Sequence, residues 1–295
     1  MDEFFEKLKQ ALGIQTRVLN AQERAALEAT LYTVCTAAFG MFVRWMQKML
    51  AFNENNLPDK SFWNWATPVT ALIVALIFIR LIDKMKNRRW FLTKNYTEVY
   101  VTDSKVLLLI EIFGGFLVFL GGVLLISETE AAKNPIFYIV TGVLAMCAAI
   151  VLPLITISAN RRIFRAKTLR LISLLPLLYT AAWLICTYQA NSINSVVLDF
   201  GLEIITICIL MITMFRLCGI FYYSFKPSRT MFFCMFGAFA CVMNIADSHY
   251  FGEQLMFVGL AAILGSYNWA MICNMQQREA PKEISIQDGF ERVGE

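Results

Sequence analysis

The chain has 295 residues, 58% hydrophobic and 16% charged, with a formal net charge of +4 and a mean hydropathy of +0.58. A soluble domain is about 45–50% apolar and about 25% charged, so these values exclude a pair of soluble domains. They point to one membrane domain, because the apolar runs approach the roughly 20 residues a helix needs to cross the ~30 Å hydrocarbon core.

Residues 1–19 read as an amphipathic helix, with Phe4, Phe5, Leu8, Ala11 and Leu12 on one face and Glu6, Lys7 and Lys9 mostly on the other. Such a helix lies on a bilayer surface or packs on a partner. It has no apolar core of the kind a cleavable secretion signal carries, so none is expected. Asn20 with Glu23 resembles a capping box ahead of the next helix. Three regions follow: 1–25, a cytoplasmic or interfacial helix; 26–275, a transmembrane helix bundle; and 276–295, a flexible cytoplasmic tail.

The sequence predicts an all-α, polytopic bundle of eight spans. They run about 27–47, 62–82, 106–126, 135–158, 169–189, 196–216 (with a continuation through Tyr223 open), 230–247 and 253–274. The fourth opens on Pro135, suited to a first helical turn. Two-span units begin near Leu107, Leu169 and Met231, each 62 residues after the last. That spacing fits parallel repeats, although the units share little residue-level similarity.

Basic residues fill alternate gaps. Arg88 and Arg89 lie in the gap after the second span, with Lys84, Lys86, Lys94 and Lys105. Arg161, Arg162 and Arg165 lie after the fourth, with Lys167 and Arg170, and Lys226 and Arg229 lie after the sixth. The other gaps hold only Lys48, Lys60 and Lys133. Short cytoplasmic loops carry the Lys/Arg excess, so both termini and these membrane-orienting loops are expected in the cytoplasm. The bias suits a bacterial inner membrane, although eukaryotic plasma membranes obey the same rule. Arg44 and Lys48 dissent, standing at the outer end of the first span. They snorkel to the far headgroups, or the first segment does not cross and seven spans remain with the N-terminus outside. The basic gaps flank spans and carry no nucleic-acid-binding motif, which argues against nucleic acid as a partner. The bilayer is the expected partner, with a cytoplasmic or membrane protein as a further one and the small-molecule ligand unknown.

Ionisable residues inside spans are costly and mark functional candidates. Arg80 and Arg216 sit at cytoplasmic span ends, where snorkelling explains them. The candidate ion- or solute-binding residues are Asp199, Glu203, Glu111 and Arg44. Asp199 and Glu203 are four apart, hence on one helix face. Two close carboxylates in a poorly solvated site hinder each other's ionisation, the physical basis of a proton or cation site; the alternative is a solvated boundary pair or a pairing with Arg44. Glu111 is followed by Gly114, Gly115, Gly121 and Gly122, small residues that let helices approach closely. Asn244, Asp247 and His249 close the seventh span; Ser266, Tyr267 and Asn268 form a polar step in the eighth, read as a helix contact. Pro153 and Pro176 lie within spans and interrupt the backbone ladder there.

The eight cysteines all lie in apolar stretches without a CxxC, so no disulfide framework and no metal site is expected, and no cofactor. No P-loop, HExxH or GxSxG occurs, and one histidine leaves little for base chemistry. No catalytic residue is expected. Two functions remain: a non-enzymatic membrane component (sensor, accessory or assembly subunit), or a small-solute or ion-coupled permease using the outer carboxylate pair with Glu111 at an inner gate.

Overall fold

The computed structural model describes residues 20–51, 62–88, 90–93, 95–102, 104–127, 135–161, 166–191, 197–247 and 250–277. The amphipathic stretch 1–19, Arg89, Arg162, Arg165, His249 and the tail beyond 277 lie outside the described residues. In chain order the elements are α1 (Ala21–Ala51), a 3-10 turn (Phe62–Trp65), α2 (Ala66–Asn87), β1 (Trp90–Phe91), α3 (Tyr96–Val99), α4 (Lys105–Ser127), α5 (Pro135–Arg161), α6 (Ala166–Ile172), α7 (Leu174–Ala190), α8 (Val197–Cys218), α9 (Pro227–Asn244), α10 (Phe251–Cys273) and β2 (Gln276–Gln277). The protein is an all-α polytopic bundle. Seven helical segments among the described residues are long and apolar enough to cross a membrane. The seventh expected span, α9, is not among them; it has 18 residues and opens on Pro227 and Arg229.

Local chemistry sets the helix ends. Asn20 N–H donates to Glu23 Oε2 at 2.9 Å, the return half of a capping box. The fifth span is two helices, broken at Ser173 three residues before Pro176. Proline lacks the N–H, and its ring collides with the carbonyl four residues back. The thiol of Cys218 donates to the Ser173 carbonyl there at 2.6 Å. Pro153, by contrast, stays inside a continuous α5. The sixth span does not continue through Tyr223. It ends at Cys218, and Ser224 N–H returns to Gly219 O at 3.0 Å through Tyr223 at φ 58°, a left-handed residue that turns the chain off the helix axis.

The centre of the bundle is α4, sandwiched between α5 and α10. Its glycines divide between two faces. A Cβ on Gly114 would lie 2.7 Å from Gly259 O, and one on Gly121 2.5 Å from Gly252 O, both on α10. On the other face, a Cβ on Gly115 would lie 2.6 Å from Ala149 O, and one on Gly122 2.8 Å from Gly142 O, both on α5. The pairs keep a constant antiparallel register. Backbone therefore meets backbone on both sides, the packing expected where van der Waals contact holds helices in lipid.

One end of the bundle collects the basic gaps. Asn160, near the end of α5, brackets Thr102 by accepting from its N–H (2.9 Å) and donating to its carbonyl (3.0 Å). Asn274 donates to Val99 O and Val101 O (3.0 and 2.7 Å). Arg170 donates to Phe221 O at 3.0 Å. Gln22 Nε2 reaches Met275 O at 3.5 Å, so α1 begins beside the end of α10. Gln276 and Gln277 pair antiparallel with Phe91 and Trp90, so the first two tail residues are ordered against the α2–α4 connection. Around the helices, large apolar side chains such as Leu31, Phe42, Leu72, Phe113 and Ile150 are exposed. A soluble monomer rarely carries that much exposed apolar surface; these faces meet lipid.

Candidate functional site

The four candidate residues occupy three separate places. Arg44 is 1% exposed on α1 and turns inward instead of snorkelling. Its Nε lies 2.5 Å from Asp247 Oδ2 in the turn that follows α9, and its Nη1 donates to Gln47 Oε1 at 2.7 Å. Lys48 Nζ sits 2.8 Å from the other Asp247 oxygen. Gln47 donates to Asn64 O at 3.1 Å and accepts from Thr67 Oγ1. The network clamps α1 to α9 and to the start of α2. Among the described residues Arg44 thus pairs with Asp247. A signal was present in the sequence: Arg44 and Lys48 share a helix face, and Asp247 is the acid at the matching end of the seventh span.

Glu111 is fully buried on α4. Ser266 Oγ of α10 donates to its Oε1 at 2.7 Å. Thr156 of α5 neighbours the same carboxyl, but neither Glu111 Oε2 nor Thr156 Oγ1 completes a hydrogen bond of good geometry among the described residues. One residue along α10, Tyr267 donates to Leu152 O at 2.5 Å and packs on Tyr100 with ring centroids 5.2 Å apart. Tyr100 lies in the connection ahead of α4. Burial, with Cys234, Cys218 and Glu111 nearby, holds its phenol well above the usual tyrosine range, so it stays neutral. The polar step at 266–268 thus makes helix contacts at Ser266 and Tyr267. At the loop end, a polar cavity of about 430 Å³ has Asn20, Thr102, Leu107, Ala270 and Asn274 among its walls. Leu107 and Ala270 are one helical turn from Glu111 and Ser266 respectively.

Glu203 is buried on α8 and accepts from Thr187 Oγ1 of α7 at 3.1 Å. Asp199 stands one turn earlier on α8; its side chain lies outside the described residues. A second carboxylate escaped the sequence reading. Glu253, in the first turn of α10, is 8% exposed, and Cys186 of α7 is within electrostatic reach of both Glu253 and Glu203. Tyr138 and Tyr250 meet edge to face beside them, with centroids 6.5 Å apart. Glu253 is the first residue of the expected eighth span, where its carboxylate drew no reading.

Of the orienting arginines, Arg88 stacks over Trp90 at 5.4 Å and Arg161 ends α5 in solvent. Among the described residues there is no group of three His, Cys, Asp or Glu side chains that would hold a metal ion. No family model matches the chain, and no curated protein or solved structure matches it.

Proposed function

We propose that this chain is a non-enzymatic membrane component, a sensor, accessory or assembly subunit, with both termini and the basic loops on the cytoplasmic side of a bacterial cell membrane. One observation carries the reading: the in-span ionisable candidates are spread over three cross-helix contacts. Arg44 ties α1 to α9 through Asp247, Glu111 ties α4 to α10 through Ser266, and Glu203 ties α8 to α7 through Thr187. Each engages a neighbouring helix, as intramembrane polar groups do when they hold a bundle together. The gathering of the basic gaps at one end supports the orientation and offers a surface for anionic headgroups or a cytoplasmic partner.

A second reading, a small-solute or ion-coupled permease, rests on the outer carboxylates. Glu203 and Glu253 both lie within electrostatic range of Cys186, and Asp199 stands one turn from Glu203 on α8. Thermal unfolding of the purified protein across pH, ions and small solutes separates the two, run beside the double variant Asp199→Asn, Glu203→Gln. A ligand at one hundred times its Kd stabilises the folded state by about 2.7 kcal/mol. The component reading expects superimposable solute responses. A solute-specific stabilisation of the wild type that vanishes in the variant would replace it with the permease.

A further inference from the structure

The bundle carries an intramembrane groove between α1, α9 and α10 that none of the sequence motifs announces. It encloses about 420 Å³, and its walls include Thr30, Ala37 and Met41 of α1, Ala238 of α9, and Gly265 and Asn268 of α10. Ligand sites of about 300–1,000 Å³ are mostly apolar with a few placed polar groups, and this groove has that make-up. Its wall is apolar except at one end. There Asn268 is 2% exposed, and neither its Oδ1 nor Thr30 Oγ1 has a hydrogen-bond partner among the described residues. An unsatisfied buried polar atom costs free energy, so two in one groove mark a place where something else completes the bonding. Gly265 keeps the space clear: a Cβ there would meet nothing within 4 Å.

Shape and charge select the occupant. From Thr30 to Met41 the α1 wall is about 16 Å long at 1.5 Å per residue. Measured out to the surrounding atoms, the empty space is about 950 Å³, which over that length gives a cross-section of about 60 Å², whereas a helix with side chains, 10–12 Å across, needs roughly 80–110 Å². The groove therefore takes hydrocarbon chain and not another helix. None of its lining residues is charged, and Asn268 lies five residues before the end of α10, about 7 Å below the helix end. A charged headgroup at that depth is expensive. Asn268 Oδ1 accepts, so the ligand donates; a hydroxyl does this and also pairs with Thr30. We propose that the α1/α9/α10 groove binds a membrane lipid alcohol, its chain along Ala37, Ala238 and Met41 and its hydroxyl on Asn268 and Thr30.

The test is photolabelling of the purified full-length chain in lipid nanodiscs. The probes are a long-chain saturated alcohol carrying a mid-chain diazirine and the matched methyl ether, with labelled peptides mapped by mass spectrometry. One hydrogen bond in this setting corresponds to roughly five- to tenfold in binding. The wild type is expected to label on α1 and α10 by about that factor more with the alcohol. Gly265→Leu, which fills open space, is expected to keep the wild-type unfolding temperature and lose the labelling, and Asn268→Leu to label equally with both probes. Equal labelling of the wild type by alcohol and ether would overturn the proposal, since lipid tails would then merely fill a crevice. So would labelling indifferent to Gly265→Leu, or chain-to-chain crosslinks from Val34 or Met41 at the rim, which would put a second copy in the groove.

Discussion

Breaking the Arg44–Asp247 clamp gives the sharpest test of how this bundle is held. The two side chains are 2% and 3% exposed, so removing one leaves the other charged and out of water. Breaking a buried pair costs about 3–5 kcal/mol, whereas replacing both partners with apolar groups of similar volume is often neutral. The structure adds an asymmetry. When Arg44 is removed, Asp247 keeps Lys48 at 2.8 Å, and Lys48 is 27% exposed and partly hydrated. When Asp247 is removed, Arg44 loses the carboxylate at 2.5 Å and keeps the neutral amide of Gln47 at 2.7 Å. Asp247→Leu should therefore cost the full amount, about 3–5 kcal/mol, Arg44→Met roughly half of it, and the double variant should return to within about 1 kcal/mol of the wild type. Thermal unfolding in detergent, followed by tryptophan fluorescence, reads the series; at about 2 °C per kcal/mol for a chain of this size, Asp247→Leu falls by roughly 6–10 °C. A double variant whose loss equals the sum of the single losses would refute the reasoning, because contacting residues must couple.

Further outcomes follow from the packing and from the charge of the loops. Gly121→Leu drives side-chain atoms into the α10 backbone, where a Cβ alone would lie 2.5 Å from Gly252 O; overpacking of this kind costs about 1–3 kcal/mol or more, while Gly265→Ala should be neutral or stabilising by up to about 1 kcal/mol, both read from unfolding temperatures. Ser266→Ala should cost about 1–3 kcal/mol by leaving the Glu111 carboxyl short of a donor, and almost nothing in a Glu111→Leu background; equal costs in both backgrounds would disconnect the pair. Topology reporters fused to the N- and C-termini should both report the cytoplasm, and opposite sides would give the chain an odd number of crossings.

Much of the architecture is legible in the sequence because a membrane makes hydrophobic length nearly sufficient. The third and fourth spans, expected at 106–126 and 135–158, form helices at Lys105–Ser127 and Pro135–Arg161. The glycine pairs 114/115 and 121/122 also speak plainly: adjacent glycines repeating after seven residues give a helix two small faces, and α4 uses both. Partner choice is what hides. Arg44 and Asp247 are 203 positions apart, and Glu111 and Ser266 155 apart, so no local pattern joins them. Their pairing depends on which helices neighbour which, and periodicity in a wholly apolar helix does not say which side faces in. Glu253 is hidden for a related reason, since no local pattern shows that Cys186 of α7 and Tyr138 of α5 lie within electrostatic reach of it. The short strand at Gln276–Gln277 depends likewise on its meeting Trp90 and Phe91.

The clamp and the groove share α1 and α9, which ties stability to binding. At the loop end α1 is fixed by buried Ala25, Ala26 and Ala29 and by the Gln22 contact with Met275. Midway, Gly40 rests on the ring of Phe239, where a Cβ would come within 2.6 Å, and at the far end the Arg44–Asp247 pair closes the interface. The groove lies mainly between the first and last of these anchors. Freed at the clamp, α1 can swing from α9 about the alanine-packed end, which widens the groove and loosens its grip on a hydrocarbon chain. Asp247→Leu should therefore lower alcohol labelling at temperatures where the protein is still folded, and the Arg44→Met, Asp247→Leu double variant should restore it. Neither side chain belongs to the groove wall, so a restored signal could come only through the position of α1. Labelling unchanged by Asp247→Leu, in protein whose unfolding temperature had fallen as expected, would show that Gly40 and Phe239 alone fix the helix spacing.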